Sequence, residues 1–458
     1  MVGRDRRVDS LPRPGLVYGL GRARESGAGR HLVRDRIRGC GRNNAPSLPV
    51  ESSVTFERKL LLAAGGGWLF DAMDLLIVGT VVAAAGAEWH LDPRAKGAII
   101  TANLLGMFVG AALSGFVADR FGRRAVFIWT LLAYTLLSGL SAFAWDATSL
   151  AVIRFFAGVG LGGELPVAST LVAEFAPTEH RGRTVVLLES FWAYGSVLAA
   201  LIGYLVIPRF GWRLAFVVGM LPALYVFVLR RTIPESPRFL QVRESPSLGS
   251  LRTLFQPPFL RRTLMLWIMW IAMVVSYYGI FTWLPSLLVA KGFTKDEAFL
   301  LNLAIAIFQI PGYFSAAYFV ERIGRKATLV SFLALCALGA FMFAGATLAA
   351  TPNVAAIVGW GGVIAFFNLG AWGVCYTYTP ELYPTEIRAT GSGLAASAGR
   401  LVGAFAPALV GSMLAASSGN QYVVFIAFTV VLLLAGLVVA AFGEETQGRS
   451  LEAISPAT

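Results

Sequence analysis

Charged residues are scarce in this 458-residue sequence: Asp, Glu, Lys and Arg together make up 14% of it, against about 25% in soluble domains. A surface so poor in charge cannot face water over most of its area, which excludes a soluble protein of ordinary composition. Cysteine is nearly absent. Cys40, Cys336 and Cys375 are odd in number and two of them lie in apolar runs, so neither a disulfide framework nor a thiolate metal centre is spelled out. The three histidines, His31, His90 and His180, are scattered, and no nucleophile–base or metal-ligand constellation surrounds them. An enzyme, a metal and a cofactor are therefore not expected. Acidic residues are outnumbered 26 to 38, giving a net charge of +12. The basic excess lies in an N-terminal arm and in short loops between apolar segments, a membrane-orientation pattern rather than a nucleic-acid one. No nucleic-acid partner is expected.

What the sequence has in abundance is apolar length. Hydrophobic residues make up 56%, and runs of roughly 20 recur, each long enough to cross a hydrocarbon core about 30 Å thick. Twelve spans are expected, near 60–86, 95–118, 124–145, 148–175, 184–207, 212–231, 262–290, 297–320, 326–349, 353–379, 389–416 and 420–442. The fold class is thus an all-α membrane protein, with twelve transmembrane helices in two six-helix bundles. The expected organisation is a basic arm (1–55), a first bundle (56–231), a linker (232–261), a second bundle (262–445) and a tail (446–458). The arm, rich in arginine, glycine and proline, has no apolar core of a signal peptide. It reads as disordered, with an anionic-membrane contact or an over-extended start as other readings. Arg120, Arg123, Arg124, Arg181, Arg183, Arg322, Arg325, Lys326 and Arg388 follow even-numbered spans, and few basic residues follow odd ones. Both termini are therefore expected on the cytoplasmic side of an inner membrane.

Two motifs occur twice. Gly115-Phe-Val-Ala-Asp119-Arg120-Phe-Gly122-Arg123-Arg124 after the second span matches Ala317-Tyr-Phe-Val-Glu321-Arg322-Ile-Gly324-Arg325-Lys326 after the eighth, an offset of 202 from Asp119 to Glu321. Glu174-Phe-Ala-Pro177-Thr-Glu-His-Arg181-Gly182 after the fourth matches Glu381-Leu-Tyr-Pro384-Thr-Glu-Ile-Arg388-Ala389 after the tenth, an offset of 207 from Glu174 to Glu381. Acids and arginines clustered at helix ends can pair across the seam between two halves. Asp119, Arg123, Glu174, Arg181, Glu321, Arg325, Glu381 and Arg388 are expected to form a conformational latch. Gly158-Val-Gly160-Leu-Gly162-Gly163 imitates a dinucleotide fingerprint, but it lies inside the fourth apolar helix with no preceding strand. Close helix packing explains it better.

Over about residues 55–452 the chain resembles the major facilitator superfamily of transporters. Gly115 to Arg124 resembles that superfamily's loop motif between helices 2 and 3, with Ala317 and Glu321 departing from the usual Gly and Asp in the second copy. Pro234-Glu-Ser-Pro237-Arg238 and Glu445-Thr-Gln-Gly448-Arg-Ser-Leu451-Glu452 resemble the motifs of sugar porters and organic-ion transporters after helices 6 and 12. Asp71-Ala-Met-Asp74 is similar to the Asp-Gly-x-Asp motif of aromatic-acid/proton symporters, with Ala72 for the glycine. Tyr277-Tyr-Gly-Ile-Phe-Thr-Trp283-Leu-Pro285 resembles the seventh helix of bacterial niacin transporters. The resemblance implies alternating access around a central site and a pyridine carboxylate as cargo.

Asp71, Asp74, Arg154, Glu164, Glu189 and Arg400 fall at membrane depth, where a charge costs about 2.5–3.5 kcal/mol on insertion scales. Four acids against two arginines leave an excess that protonation of at least one acid relieves. Asp71, Asp74 and Glu164 are the candidate proton-coupling residues, with a structural role as the alternative for Asp74 and Glu189. Arg400 suits a substrate carboxylate, which a guanidinium holds with two parallel hydrogen bonds; a permanent pair with Asp71 or Glu164 is the alternative. Trp192, Tyr277, Tyr278, Trp283 and Trp372 supply candidate aromatic walls, and Gln309 and Asn368 supply amides. The expected function is proton-coupled transport of a small organic anion such as nicotinate by a monomer, with an organic-cation or sugar porter as the alternative.

Overall fold

Runs of apolar residues become helices because a chain in hydrocarbon must satisfy its backbone groups internally. The computed structural model describes residues 50–91, 93–236, 239–240, 251–348 and 353–455. The expectations placed on residues 1–49, with Cys40 and His31, on Pro237 and Arg238, and on positions 241–250 of the linker lie outside the described residues. Among the described residues, eleven helices are long and apolar enough to cross a membrane, and a shorter apolar stretch stands at the sixth position. Spans 1 to 4 are Val50–Glu88, Pro93–Phe121, Arg123–Ser141 and Ala147–Phe175. Span 5 is broken into Arg181–Glu189 and Phe191–Leu205, and span 6 into Trp212–Gly219 and Pro222–Thr232. Pro222 opens the second segment of span 6, where its missing N–H costs nothing.

Span 7 starts earlier than expected, at Pro257, and runs to Ala290. Span 8 comprises Lys295–Ile307 and Gln309–Arg322, and span 9 is Arg325–Leu348. Span 10 is Val354–Glu381, span 11 comprises Arg388–Gly403 and Ala406–Ala416, and span 12 is Gln421–Phe442. The twelve helices form two six-helix bundles, spans 1–6 and 7–12. Span 2 packs along span 11, and the first segment of span 5 packs against spans 8 and 10. Large apolar side chains such as Leu62, Trp129, Leu136, Leu224 and Leu437 point outward and exposed, an arrangement stable in lipid and not in water.

Small residues let the helices close on one another. A Cβ on Gly106 or Gly110 of span 2 would stand 1.9 Å from the carbonyl oxygen of Phe155 or Val159, and one on Gly158 or Gly162 of span 4 would stand 2.2 or 2.1 Å from those of Asn103 or Met107. The glycine run of span 4 is therefore a packing surface against span 2. Gly122 and Gly324 have φ of +106° and +95°, the region glycine tolerates without strain. Each turns the chain into the next span.

Candidate functional site

The repeated motifs meet at one end of the bundle, the arginine-rich end. Arg123 lies 2.9 Å from Asp119 and 3.4 Å from Glu174, and Arg388 of the second bundle lies 2.7 Å from the same Glu174. The second copy repeats the pattern with the bundles exchanged. Arg325 lies 2.9 Å from Glu321 and 3.4 Å from Glu381, and Arg181 of the first bundle lies 2.7 Å from Glu381. Each bundle thus lends one arginine to the other's acid.

Further bonds cross the seam from Asp119 and Glu321, and others brace each side of it within its own bundle. Asp119 accepts from the backbone N–H of Thr390 at 2.7 Å and of Ala389 at 3.3 Å, at the start of span 11. Glu321 accepts from the N–H of Arg183 at 2.8 Å. Glu235 caps span 3 through the N–H groups of Arg123 (2.9 Å) and Arg124 (3.2 Å), and Glu445 caps span 9 through those of Arg325 (2.8 Å) and Lys326 (3.1 Å). Thr446 donates to Glu381, and Ser236 meets Glu174. At the arginine-rich end the four acids and four arginines of the repeated motifs are thus all engaged in ion pairs, two of which cross from one bundle to the other.

Between the bundles lies a narrow cavity of about 40 Å³, lined by Trp68, Met107, Glu189, Trp192, Val274, Tyr277, Tyr278, Tyr313, Leu369, Trp372, Tyr376 and Arg400. Its walls are rings. Trp68 and Trp192 have centroids 5.2 Å apart, Trp372 and Tyr376 stack at 5.9 Å, and Tyr277 bridges the two sets, 6.3 Å from Trp192 and 6.0 Å from Trp372. The Trp192 indole N–H donates to the Tyr277 hydroxyl at 3.2 Å. Arg400 enters this chamber from the last turn of the first segment of span 11. Its Nη2 donates to the Tyr376 hydroxyl at 3.3 Å, while Nη1 is buried without a hydrogen-bond partner. Glu189 enters from the end of the first segment of span 5, with Oε1 buried and unpartnered.

The structure brings together Arg400, Tyr277, Tyr278, Trp372 and Trp192 of the expected site. It does not bring Trp283, Gln309 or Asn368 to the cavity wall. Trp283 lies toward Gly411 of span 11, whose Cβ would stand 3.3 Å from its ring. Gln309 is buried at the break in span 8. The Asn368 amide is spent inside the second bundle, donating to Ser276 Oγ at 3.2 Å and to Cys336 Sγ at 3.8 Å.

The alternative of a permanent pair between Arg400 and Asp71 or Glu164 is also corrected. Asp71 faces Glu164 and Tyr134 within the first bundle. Both carboxyl groups are buried with no cation bonded to them, and Gly67 makes room, since a Cβ there would stand 2.5 Å from Glu164 Oε1. Arg400 is not among their neighbours. Asp74, one turn from Asp71, belongs to a closed network: Arg154 Nη2 donates to it at 2.6 Å and to Asn103 at 3.1 Å, and Ser138 donates to it as well. The charge of Asp74 is thus matched by Arg154 inside the first bundle.

Sequence reasoning missed Trp68, Met107, Val274, Tyr313 and Leu369 as lining residues, and it put Glu189 outside the site. A usable signal existed for Glu189. It lies eight residues into span 5 from Arg181, and Arg400 lies twelve residues into span 11 from Arg388. Both spans start at the arginine-rich end, so at 1.5 Å per residue the two charges sit about 12 and about 18 Å deep.

The sequence profile of the Major Facilitator Superfamily matches residues 64–407 and 300–454. The niacin transporter NiaP of Acinetobacter baylyi is 46% identical over 429 residues, covering 87% of this chain and 96% of that protein. The 3-(3-hydroxy-phenyl)propionate transporter of Escherichia coli is 33% identical over 372 residues, covering 81% and 90%. The solved proton:xylose symporter XylE superposes with a TM-score of 0.78 at 21% identity, covering 88% of this chain and 99% of that one. At that identity the likeness to XylE concerns the fold.

Proposed function

The chain belongs to the major facilitator superfamily, and we propose that it is a proton-coupled transporter of a small aromatic carboxylate such as nicotinate, working by alternating access. Its relatives and its fold are those of membrane transporters and not of enzymes. One observation carries the substrate class: a buried guanidinium with an unpartnered Nη1 opens into a chamber walled by Trp68, Trp192, Tyr277, Trp372 and Tyr376. Arg400 offers a carboxylate a charge-assisted bond, and the rings offer a flat π-system edge and face contacts. The niacin and hydroxyphenylpropionate transporters among its relatives are named for acids of that description. A sugar would leave Arg400 without a charge to meet.

The protein lies in the inner membrane with the arginine-rich end toward the cytoplasm, by the distribution of its basic loop residues. The latch of Glu174, Glu381 and their arginines holds the outward-facing conformation; its rupture admits the cytoplasm to the cavity. The buried acids with no cation bonded to them, Asp71, Glu164 and Glu189, are the groups that can carry the coupled proton. Uptake of labelled nicotinate by proteoliposomes under an inward proton gradient tests this. Accumulation in the parent and its loss in Arg400→Ala is the expected result. An Arg400→Ala protein that takes up nicotinate and benzoate like the parent refutes the anion site.

A further inference from the structure

We propose that Glu189 is the residue at which a proton joins the substrate, because it shares a chamber with Arg400 without pairing to it. The inference rests on the carboxylate reading of the cavity and goes beyond it by assigning the coupling to one side chain.

Glu189 and Arg400 line the same cavity, are both buried, and no ion pair within 4 Å joins them. The groups facing Glu189 come from four spans: Arg400 on span 11, Cys375 and Tyr376 on span 10, Tyr313 on span 8, and Tyr277 and Tyr278 across the chamber on span 7. Arg400 is the one cation in that set. With Glu189 ionised, the chamber holds one positive and one negative charge and is neutral before a substrate enters.

A carboxylate that binds Arg400 brings a second negative charge into the same apolar space. The chamber then carries a net charge of −1, unless Glu189 takes a proton. In a poorly solvated cavity an uncompensated charge is unfavourable, so anion binding and protonation of Glu189 favour each other. The coupling is reciprocal: a proton on Glu189 strengthens anion binding by the same factor as the anion strengthens proton binding. The species that fits the chamber is the carboxylate together with a proton, and the net charge moved is zero. The acid pair Asp71–Glu164 lacks this link, since neither residue lines the cavity.

Trp68, Trp192 and Trp372 stand in the cavity wall, so their fluorescence reports binding. Nicotinate and benzoate are titrated into the detergent-purified full-length protein from about pH 5.5 to about pH 8.5, where both ligands are carboxylates. Parent protein should bind more tightly as pH falls, by up to about tenfold per pH unit above the point where Glu189 titrates, and take up about one proton per ligand in weak buffer. Glu189→Gln imitates the protonated acid. It should bind at every pH with the parent's low-pH affinity, keep nicotinate–nicotinate exchange in proteoliposomes, and lose accumulation driven by a pH gradient.

The proposal is overturned if parent binding is independent of pH with no proton uptake. It is overturned equally if Glu189→Gln retains the pH dependence while Asp71→Asn or Glu164→Gln abolishes it. Proton uptake by the parent decides the matter should a variant fold poorly. Absence of any fluorescence response to either acid at any pH would instead bring down the carboxylate reading itself, and this inference with it.

Discussion

At the arginine-rich seam the buried charges are matched, whereas in the central chamber they are left apart. Glu174 and Glu381 each take two arginines, one from their own bundle and one from the other. Arg400 and Glu189 face a shared space, with Arg400 bonded only to a tyrosine hydroxyl. Matching charge with charge makes a joint that holds; leaving charges unmatched leaves a place for something else to bind. The same contrast recurs inside the first bundle, where Asp74 is locked to Arg154 and Asp71, one turn away, has no cation.

The largest effects should come from emptying a matched site. Glu174→Ala or Glu381→Ala removes the carboxylate that Arg388 or Arg181 reaches across the seam, at about 3–5 kcal/mol for a broken buried pair. Melting followed by tryptophan fluorescence should fall sharply, and a cysteine placed at Ser397, which now donates to the Phe108 carbonyl at 3.0 Å in the seam, should become open to a thiol reagent. Unchanged melting and labelling would mean that the seam is not held by these pairs. A smaller change tests the seam sterically. A Cβ on Gly115 would stand 2.1 Å from the Ala389 carbonyl oxygen, so Gly115→Ala should cost about 1–3 kcal/mol of overpacking and raise the same labelling. A variant as closed as the parent would show that spans 2 and 11 can part without opening the seam.

The seam was legible in the sequence because its parts are local motifs written twice. Asp119 and Glu321, Glu174 and Glu381, occur at helix ends beside their arginines, and repetition at offsets of 202 and 207 marks them without any knowledge of packing. The chamber was legible only in part. Depth along a span can be counted, but which way a side chain turns cannot. Asp71 lies at mid-depth like Arg400, yet it turns toward Glu164, because Gly67 opens space on that side and Trp68, not Asp71, reaches the cavity. Asn368 and Leu369 are neighbours in sequence, and the leucine lines the cavity while the amide is consumed by Ser276. The break after Glu189 in span 5 has no proline to announce it.

On the side of the chamber the expected effects are smaller. Trp372→Leu removes one ring of the wall, and aromatic pairing is worth about 0.5–1.5 kcal/mol, or about 2- to 12-fold in affinity. Nicotinate binding should weaken by that factor, while an aliphatic acid held mainly by Arg400 should change little. Equal loss for both would mean that Trp372 shapes the cavity rather than meeting the ring.

The smallest effect is expected within the first bundle, where the comparison can be made on one turn of helix. Asp74→Asn deprives Arg154 of the carboxylate 2.6 Å away and should destabilise strongly. Asp71→Asn removes no counter-ion from anything. It relieves the repulsion between two buried carboxylates, and the new amide can donate to Glu164 as a protonated Asp71 would. Its melting point should therefore stay within about 1 kcal/mol of the parent, on either side. If Asp71→Asn is as damaging as Asp74→Asn, then Asp71 has a cationic partner in the working protein, and the distinction between matched and unmatched charges fails at the place where it is easiest to measure.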